Sequence, residues 1–367
     1  MVLYLTLLRT GPMIARRCLA FRTLGLPFVH QSLQSDQASA SGEGPFYSGR
    51  MGFARRLGLL LTGGLRLRQA LRSVAEGSVL YAVGLDCLCV AIIARALSNS
   101  RPRLIYEAHD AHPYLLHPSI FRSLLRAIHR RALGQIDLLI VPSQGNIDQF
   151  YRPVANYEGP YAIVQNRIAS AEFSGRTPVP VFSGTWMVGW FCGLRCERTL
   201  RIICAVANRL GERVHFLIAG EDQLHSGELN ALISAHDNIT YLGGYTTQRD
   251  VARLYGTVHF GLACHFEPAE KSCWALPVRL FEAGAYGRPV LARAATAAGQ
   301  LVSEYRFGET FEELFEDHMA AFLERLTPEG YEALVQRLNG LDLSLFVGEA
   351  QLASALARVM PPGRIAF

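Results

Sequence analysis

One stretch of this 367-residue chain restricts its possible folds more than any other: Ala275 to Ala292, ALPVRLFEAGAYGRPVLA. Its apolar spacing predicts a helix over Pro277–Tyr286, stopped by Gly287 and barred from continuing by Pro289. The apolar run Val290–Ala292 that follows reads as a buried parallel strand. One acid, Glu282, sits mid-helix between Phe281 and Ala283. With the preceding strand ending near His265 and Phe266, this helix starts at the carboxyl edge of a sheet. That edge is where open α/β folds bind their ligands. Glu282 is then either a ligand-facing carboxylate or a surface glutamate on a helix rim.

The same rhythm recurs along the chain. Strands are expected at Val2–Leu7, Leu26–His30, Ser78–Val83, Arg103–Glu107, Ile136–Val141 and Ala162–Val164, with helices between them. Ala169–Pro180 is small, polar and proline-bearing, as a domain linker would be. Beyond it strands are expected at Val181–Ser183, His215–Ala219, Ile239–Leu242, Phe260–His265 and Val290–Ala292. Helical stretches from Thr310 to Leu338 and from Gly348 to Val359 finish the chain. Short strands separated by helices imply parallel sheets covered on both faces. The expectation is two similar α/β domains with a cleft between them, 1–168 and 181–340, and a helical tail, 341–367, packing back toward the first.

Composition narrows the function classes. The net charge of +5 is mild, its positive side is nearly all arginine, and no nucleic-acid motif accompanies it. The eight cysteines have neither metal-ligand spacing nor a histidine partner downstream, so they read as free thiols of a reducing compartment. No secretion signal opens the chain, because arginines follow the short apolar start instead of preceding it. The most membrane-like window, Val79–Leu97, is interrupted by Asp86 and Arg95 and divides into a strand and a helix. Arg50–Arg72 carries six arginines, no acid, and leucines between them. One or two helices broken at Gly63-Gly64 fit it. Two readings stand: an amphipathic face lying on an anionic bilayer, or the solvated face of a helix packed on the sheet.

Candidate site residues cluster in turns after strands. Arg103–Glu107 runs into His109-Asp110-Ala111-His112, and a histidine just past a buried strand is well placed for chemistry. In the second half, Gly184-Thr185, Gly220-Glu221 and Gly243-Gly244-Tyr245 offer turns whose backbone N–H groups can approach a phosphate.

Pro277–Ala292, following Gly220-Glu221 and Gly243-Gly244-Tyr245, resembles the donor domain of GT-B glycosyltransferases, above all the retaining family 4 of bacterial polysaccharide and glycolipid assembly. Leu104–Asp110 resembles the strand-to-histidine segment of that family's acceptor domain, and Arg9–Leu26 its opening helix. The resemblance implies a GT-B architecture of two Rossmann-like doubly wound domains. It implies that Glu282 contacts the nucleotide ribose, that His109 lies at the sugar and diphosphate end, and that Tyr245 lies near the base. Arg279, three residues before Glu282, stands where related sequences carry lysine. Trp274 stands where the family has a second glutamate, and Glu267 and Glu270 lie further upstream. Gly184–Leu194 has no charge where the family places an arginine and a lysine, leaving Arg195 and Arg279 to match the diphosphate.

The function so implied is transfer of a sugar from a UDP- or GDP-sugar to a saccharide or lipid-linked acceptor, retaining, without metal or other cofactor, at the cytoplasmic side of a membrane. His109, Glu282, Arg279 and Arg195 would carry catalysis. Gly184, Thr185, Gly220, Glu221, Gly244, Tyr245, Trp274 and Glu282 would hold the donor. The alternatives are a non-catalytic scaffold of a polysaccharide assembly complex and a two-domain epimerase of nucleotide sugars.

Overall fold

The computed structural model describes residues 1–9, 11–33, 53–72, 77–98, 101–108, 120–224, 228–245, 248–266, 273–312 and 314–361. Two compact units divide the chain, Met1–Gln165 with Glu349–Phe367, and Asn166–Gly348.

The first unit is built on a six-stranded, all-parallel sheet. Its strands are β1 (Val2–Thr6), β2 (Phe28–Ser32), β3 (Val79–Val83), β4 (Arg103–Glu107), β5 (Leu138–Val141) and β6 (Tyr161–Ile163), in the order β2-β1-β3-β4-β5-β6. Alternate residues serve opposite faces, as the strand period of two requires. Leu3 and Leu5 join the core beneath helices Phe53–Leu71 and Gly84–Ala96. Val2 and Tyr4 join the core shared by helices Pro12–Thr23 and Ala350–Ala357. The last helix of the chain therefore belongs to the first unit. The Gln165 amide bonds the Gln351 side chain at 2.8 Å, and Arg358 donates to the Tyr161 carbonyl at 2.6 Å.

The second unit repeats this plan. Its strands β7 (Trp186–Phe191), β8 (Val214–Ala219), β9 (Ile239–Tyr241), β10 (Phe260–Leu262), β11 (Val290–Arg293) and β12 (Gly308–Phe311) form a parallel sheet ordered β12-β11-β10-β7-β8-β9. Cores lie on both faces. Both sheets are thus doubly wound, with connections reversing direction between β1 and β3 and between β7 and β10. Such switch points open a crevice at the carboxyl ends of the strands.

Three expectations need correction. The first strand of the second unit is Trp186–Phe191, not Val181–Ser183, and Val181 is 89% exposed. The residues expected to form an uncharged loop are instead a central strand, where Gly189 leaves room for the Phe191 ring only 2.5 Å from where a Cβ would stand. The Arg50–Arg72 segment does not break at Gly63-Gly64, because Phe53–Leu71 is one helix. A Cβ on Gly64 would meet Ile93 Cγ2 at 2.5 Å, so the glycines permit close approach to helix Gly84–Ala96. Thr310 opens no helix. It lies in strand β12, and helices Phe315–Arg325 and Pro328–Asn339 follow.

The expected linker is held to the second unit by a fully buried arginine. Arg288 donates to the carbonyls of Tyr255 (2.6 Å), Thr177 (3.2 Å) and Pro178 (2.5 Å) and to the Thr177 hydroxyl (2.7 Å). Carbonyl dipoles replace the water this cation lost, and Thr177–Pro178 becomes part of the fold. No helix of the described residues is long and apolar enough to cross a membrane.

Candidate functional site

In the second unit the switch point lies between β7 and β10, and the chain leaving each of these strands lines it. After β7, Cys192 donates its amide to the Ala219 carbonyl and Leu194 exchanges backbone contacts with Glu221 and Asp222. This close crossing demands glycine at 220. Its φ is +142°, and a Cβ there would stand 1.6 Å from the Cys192 carbonyl oxygen. The Gly220 amide in turn bonds the Gly243 carbonyl at 2.9 Å. Gly220, Glu221, Gly244 and Tyr245 therefore all sit on turns at the carboxyl edge of this sheet.

After β10, the chain through Ala263–Phe266 covers the other side of the switch point. Helix Val278–Ala285 then starts at the same edge. Glu282 is 5% exposed, which removes the reading of a rim carboxylate in solvent. Arg279 is 9% exposed, and its Nη2 donates to the Cys264 carbonyl at 2.6 Å. Its Nε is buried with no acceptor among the described residues. An unsatisfied buried donor costs about 1–3 kcal/mol, so this arrangement is expensive unless something else supplies the acceptor.

The electrostatics tie these groups into one cluster. Burial raises the Cys192 thiol pKa, against the opposing charges of Arg279 and Arg195. Burial also holds the Tyr255 hydroxyl well above its ordinary range, with Glu282 and Tyr245 adding to the shift. The Tyr255 hydroxyl donates to the Arg279 carbonyl at 3.1 Å. Glu282 and Arg279 thus act on both Tyr255 and Cys192, Tyr245 on the first and Arg195 on the second. Arg195 itself is exposed, and Trp274 is half-buried just before the Glu282 helix.

Sequence reasoning missed two further arginines. Arg198, in the first turn of helix Glu197–Leu210, lies 4.4 Å from the centre of the Phe266 ring, and Arg293, ending β11, lies 5.0 Å from the same ring. Among the described residues neither pairs with a carboxylate. Arg198 was legible in principle: once β7 is set at Trp186–Phe191, the next helix must start at the carboxyl edge.

Two expected donor residues lie elsewhere. Gly184 and Thr185 precede β7 and so stand at the amino edge of the sheet, where Thr185 donates to the Glu212 carbonyl at 2.7 Å. His109, Glu267, Glu270 and Arg50 lie outside the described residues.

The carboxyl edge of the first unit is organised differently. Arg17 grips Glu107 at the end of β4 through two nitrogens, with Nε at 3.2 Å from Oε2. Both side chains are nearly buried. Burial, the largest influence, would lower the Arg17 pKa, but the charge and hydrogen bond of Glu107 together with Tyr81 and Tyr4 outweigh it, and the guanidinium stays firmly protonated. The Thr6 hydroxyl lies 2.7 Å from His30 Nε2.

Solved structures share this arrangement of sheets. A glycosyltransferase from Rickettsia africae ESF-5 superimposes with a TM-score of 0.69 at 14% identity, over 98% of this chain and 97% of its own. Anabaena Alr3699/HepE, solved in complex with UDP and glucose, gives 0.69 at 15% identity, over 97% and 99%. The fold is GT-B. In sequence, the succinoglycan biosynthesis protein ExoL of Rhizobium meliloti (strain 1021) is 27% identical over 314 residues, 83% of this chain and 78% of that protein. No protein-family model matches the chain.

Proposed function

We propose that this GT-B protein is a glycosyltransferase of polysaccharide biosynthesis, moving a sugar from a nucleotide-diphosphate sugar to a saccharide or lipid-linked acceptor. The observation that carries this reading is the buried Glu282 carboxylate beside Arg279 at the carboxyl edge of the β7/β10 switch point. A carboxylate there accepts hydrogen bonds from a ribose. Arginines there match the negative charge that grows on a departing nucleoside diphosphate. Arg195 and Arg198 are exposed on the segment after β7, on the side of the sheet where the phosphates would lie, whereas Arg279 is fixed by the Cys264 carbonyl.

Likeness to HepE, solved with UDP and glucose, and to the succinoglycan protein supports a UDP-sugar donor and a bacterial polysaccharide acceptor. The reaction is read as retaining and metal-independent. Arginines supply the positive charge, and the acceptor hydroxyl attacks on the face the diphosphate leaves. By the family resemblance, His109 serves the sugar and diphosphate end of the donor.

The test is turnover of UDP- and GDP-sugars. Glu282→Ala is expected to lower kcat/KM by about a hundredfold or more with the fold intact. Unchanged turnover in that variant would remove the reading.

A second reading has its own observation. Trp274 stands where the resembled family has a glutamate, as a non-catalytic scaffold subunit would tolerate. Donor hydrolysis or transfer by the purified wild-type chain excludes it.

Membrane contact forms part of the proposal. Helix Phe53–Leu71 buries Leu67 and Leu71 but leaves Leu61 and Leu65 about half exposed, at 52% and 55%, beside exposed Arg66 and Arg72. That face suits an anionic bilayer at the cytoplasmic side. Co-sedimentation with anionic vesicles at low salt, lost in Leu61→Glu/Leu65→Glu, is the expected result.

A further inference from the structure

His265 lies three residues beyond β10, on the segment that lines the switch point of the second sheet. Its neighbour Cys264 accepts the Arg279 guanidinium through its carbonyl at 2.6 Å, and its other neighbour Phe266 donates its amide to the Cys196 sulfur at 3.4 Å. The backbone on both sides of the imidazole is therefore fixed, and the ring is held beside Arg279. Its Nε2 is buried and meets no partner among the described residues. Arg279 Nε, on the guanidinium bonded one residue away, is in the same condition. Two buried nitrogens without partners among the described residues, one on the ring next to Cys264 and one on the guanidinium that Cys264 holds, lie at the carboxyl edge, where an oxyanion would satisfy them.

We infer that His265, as a neutral imidazole carrying its proton on Nε2, is a donor-binding residue that gives this hydrogen bond to a phosphate oxygen of the nucleotide. This assignment rests on the nucleotide-sugar reading of the same site and adds to it a residue that the sequence resemblance does not mark.

The protonation state agrees with that role. Burial, then the charges of Arg279 and Arg195, push the His265 pKa down to about 3. The ring is neutral at any working pH, so it contributes a directed N–H group and no charge. A third fixed cation beside two arginines would bind a diphosphate tightly and release it slowly. A neutral donor instead adds orientation, which is what a leaving group in transfer requires. The fold keeps Nε2 in place at the cost of leaving it without a partner among the described residues.

The experiment titrates UDP, GDP and uridine into the wild-type protein and into His265→Leu and His265→Gln. Leucine fills the ring's space without a donor, and the glutamine amide reaches the position of Nε2. The expected result is a loss of about ten- to a hundredfold in UDP or GDP affinity for His265→Leu, largely restored in His265→Gln. Uridine, which has no phosphate, should bind all three alike. Nucleotide binding unchanged in His265→Leu overturns the assignment, and so does an equal loss of uridine and UDP.

Imidazole ¹⁵N spectra of the wild-type protein test the same point without substitution. UDP should shift the His265 Nε2 resonance toward a hydrogen-bonded N–H and uridine should not; no response to UDP overturns the proposal. Glu282→Ala separates the two levels of the argument. If it abolishes UDP binding while His265→Leu does not, the donor site stands and His265 has no part in it. If the wild-type chain binds neither UDP nor GDP, both fall.

Discussion

The two sheets have the same topology, yet their carboxyl edges handle buried charge in opposite ways. In the first unit Arg17 has a carboxylate, Glu107, and the Thr6 hydroxyl meets His30. In the second unit the buried Arg279 guanidinium donates to the Cys264 carbonyl, and among the described residues its Nε and the Nε2 of His265 have no partner. A fold assembled once for stability and once for a ligand would differ in this way. At the first edge Arg17 and Glu107 satisfy each other, although the buried Tyr81 hydroxyl near them has no partner among the described residues, whereas at the second edge the unpartnered atoms include a guanidinium nitrogen, Arg279 Nε. The lesson is that an open α/β sheet fixes where a site lies, and the charges gathered at each edge, a paired arginine in one unit and an arginine held by a backbone carbonyl in the other, set what that edge can do.

Single substitutions at the two arginines should break this symmetry most sharply. Arg17→Met takes from the buried Glu107 its two-nitrogen guanidinium partner, and removing one member of a buried pair costs about 3–5 kcal/mol. Arg17→Met/Glu107→Leu should recover most of that loss. Arg279→Met strands no carboxylate among the described residues, so its stability should change by no more than about 1–2 kcal/mol, while nucleotide binding is lost. Urea melts and UDP titrations on the same variants read both quantities. Equal destabilisation by Arg17→Met and Arg279→Met would erase the distinction.

Glycines after the strands offer a second contrast. Gly84, opening the helix after β3, has φ +79° with open space where a Cβ would stand. Gly220, after β8, has φ +142° and a carbonyl oxygen at 1.6 Å. Gly84→Ala should cost about 1 kcal/mol, the strain of the left-handed backbone alone. Gly220→Ala must also push the Cys192 segment away, and a loss of about 3 kcal/mol with weakened UDP binding is expected. Thermal melts compare the two directly.

Much of this was legible in the residues. Helix Val278–Ala285, its glycine stop and strand β11 follow from local pattern, and Glu282 was found because an acid in so apolar a segment is conspicuous. What escaped depended on partners distant in sequence. WMVGWF falls in the turn expected after a strand at Val181–Ser183, and only the neighbouring Phe191 ring and Val258 explain Gly189 within a strand. Gly63 and Gly64 look like a helix break until Val90 and Ile93 are set against them. Arg198, Phe266 and Arg293 lie on three separate segments, and only the order β11-β10-β7 gathers them. A hydrogen bond that a histidine fails to make leaves no trace in sequence at all.

The smallest expected effect concerns the opposite edge of the second sheet, where His259, whose Nε2 is also buried without a partner among the described residues, differs from His265 in having its Nδ1 engaged by the backbone. Its Nδ1 accepts the Met187 amide at 3.0 Å, its carbonyl accepts the Tyr331 hydroxyl at 2.8 Å, and the rings of Trp186 and Tyr331 enclose it. Burial first, then the charge of Arg288, push its pKa down to about 4. The folded protein keeps this ring neutral, whereas the unfolded chain takes up its proton below about pH 6.5. Stability from this group is therefore complete above pH 6.5 and falls as the pH drops toward 4, by on the order of 1–2 kcal/mol at pH 5. His259→Asn retains an acceptor for the Met187 amide and cannot titrate, so its melting temperature should fall less between pH 7 and pH 5 than that of the wild type. UDP binding should be unaffected by this substitution, since the Met187 end of β7 lies a full strand away from the switch point. A variant that flattened the pH dependence and also lost UDP would show that the two edges communicate, and the contrast between a structural and a ligand-facing histidine would fail.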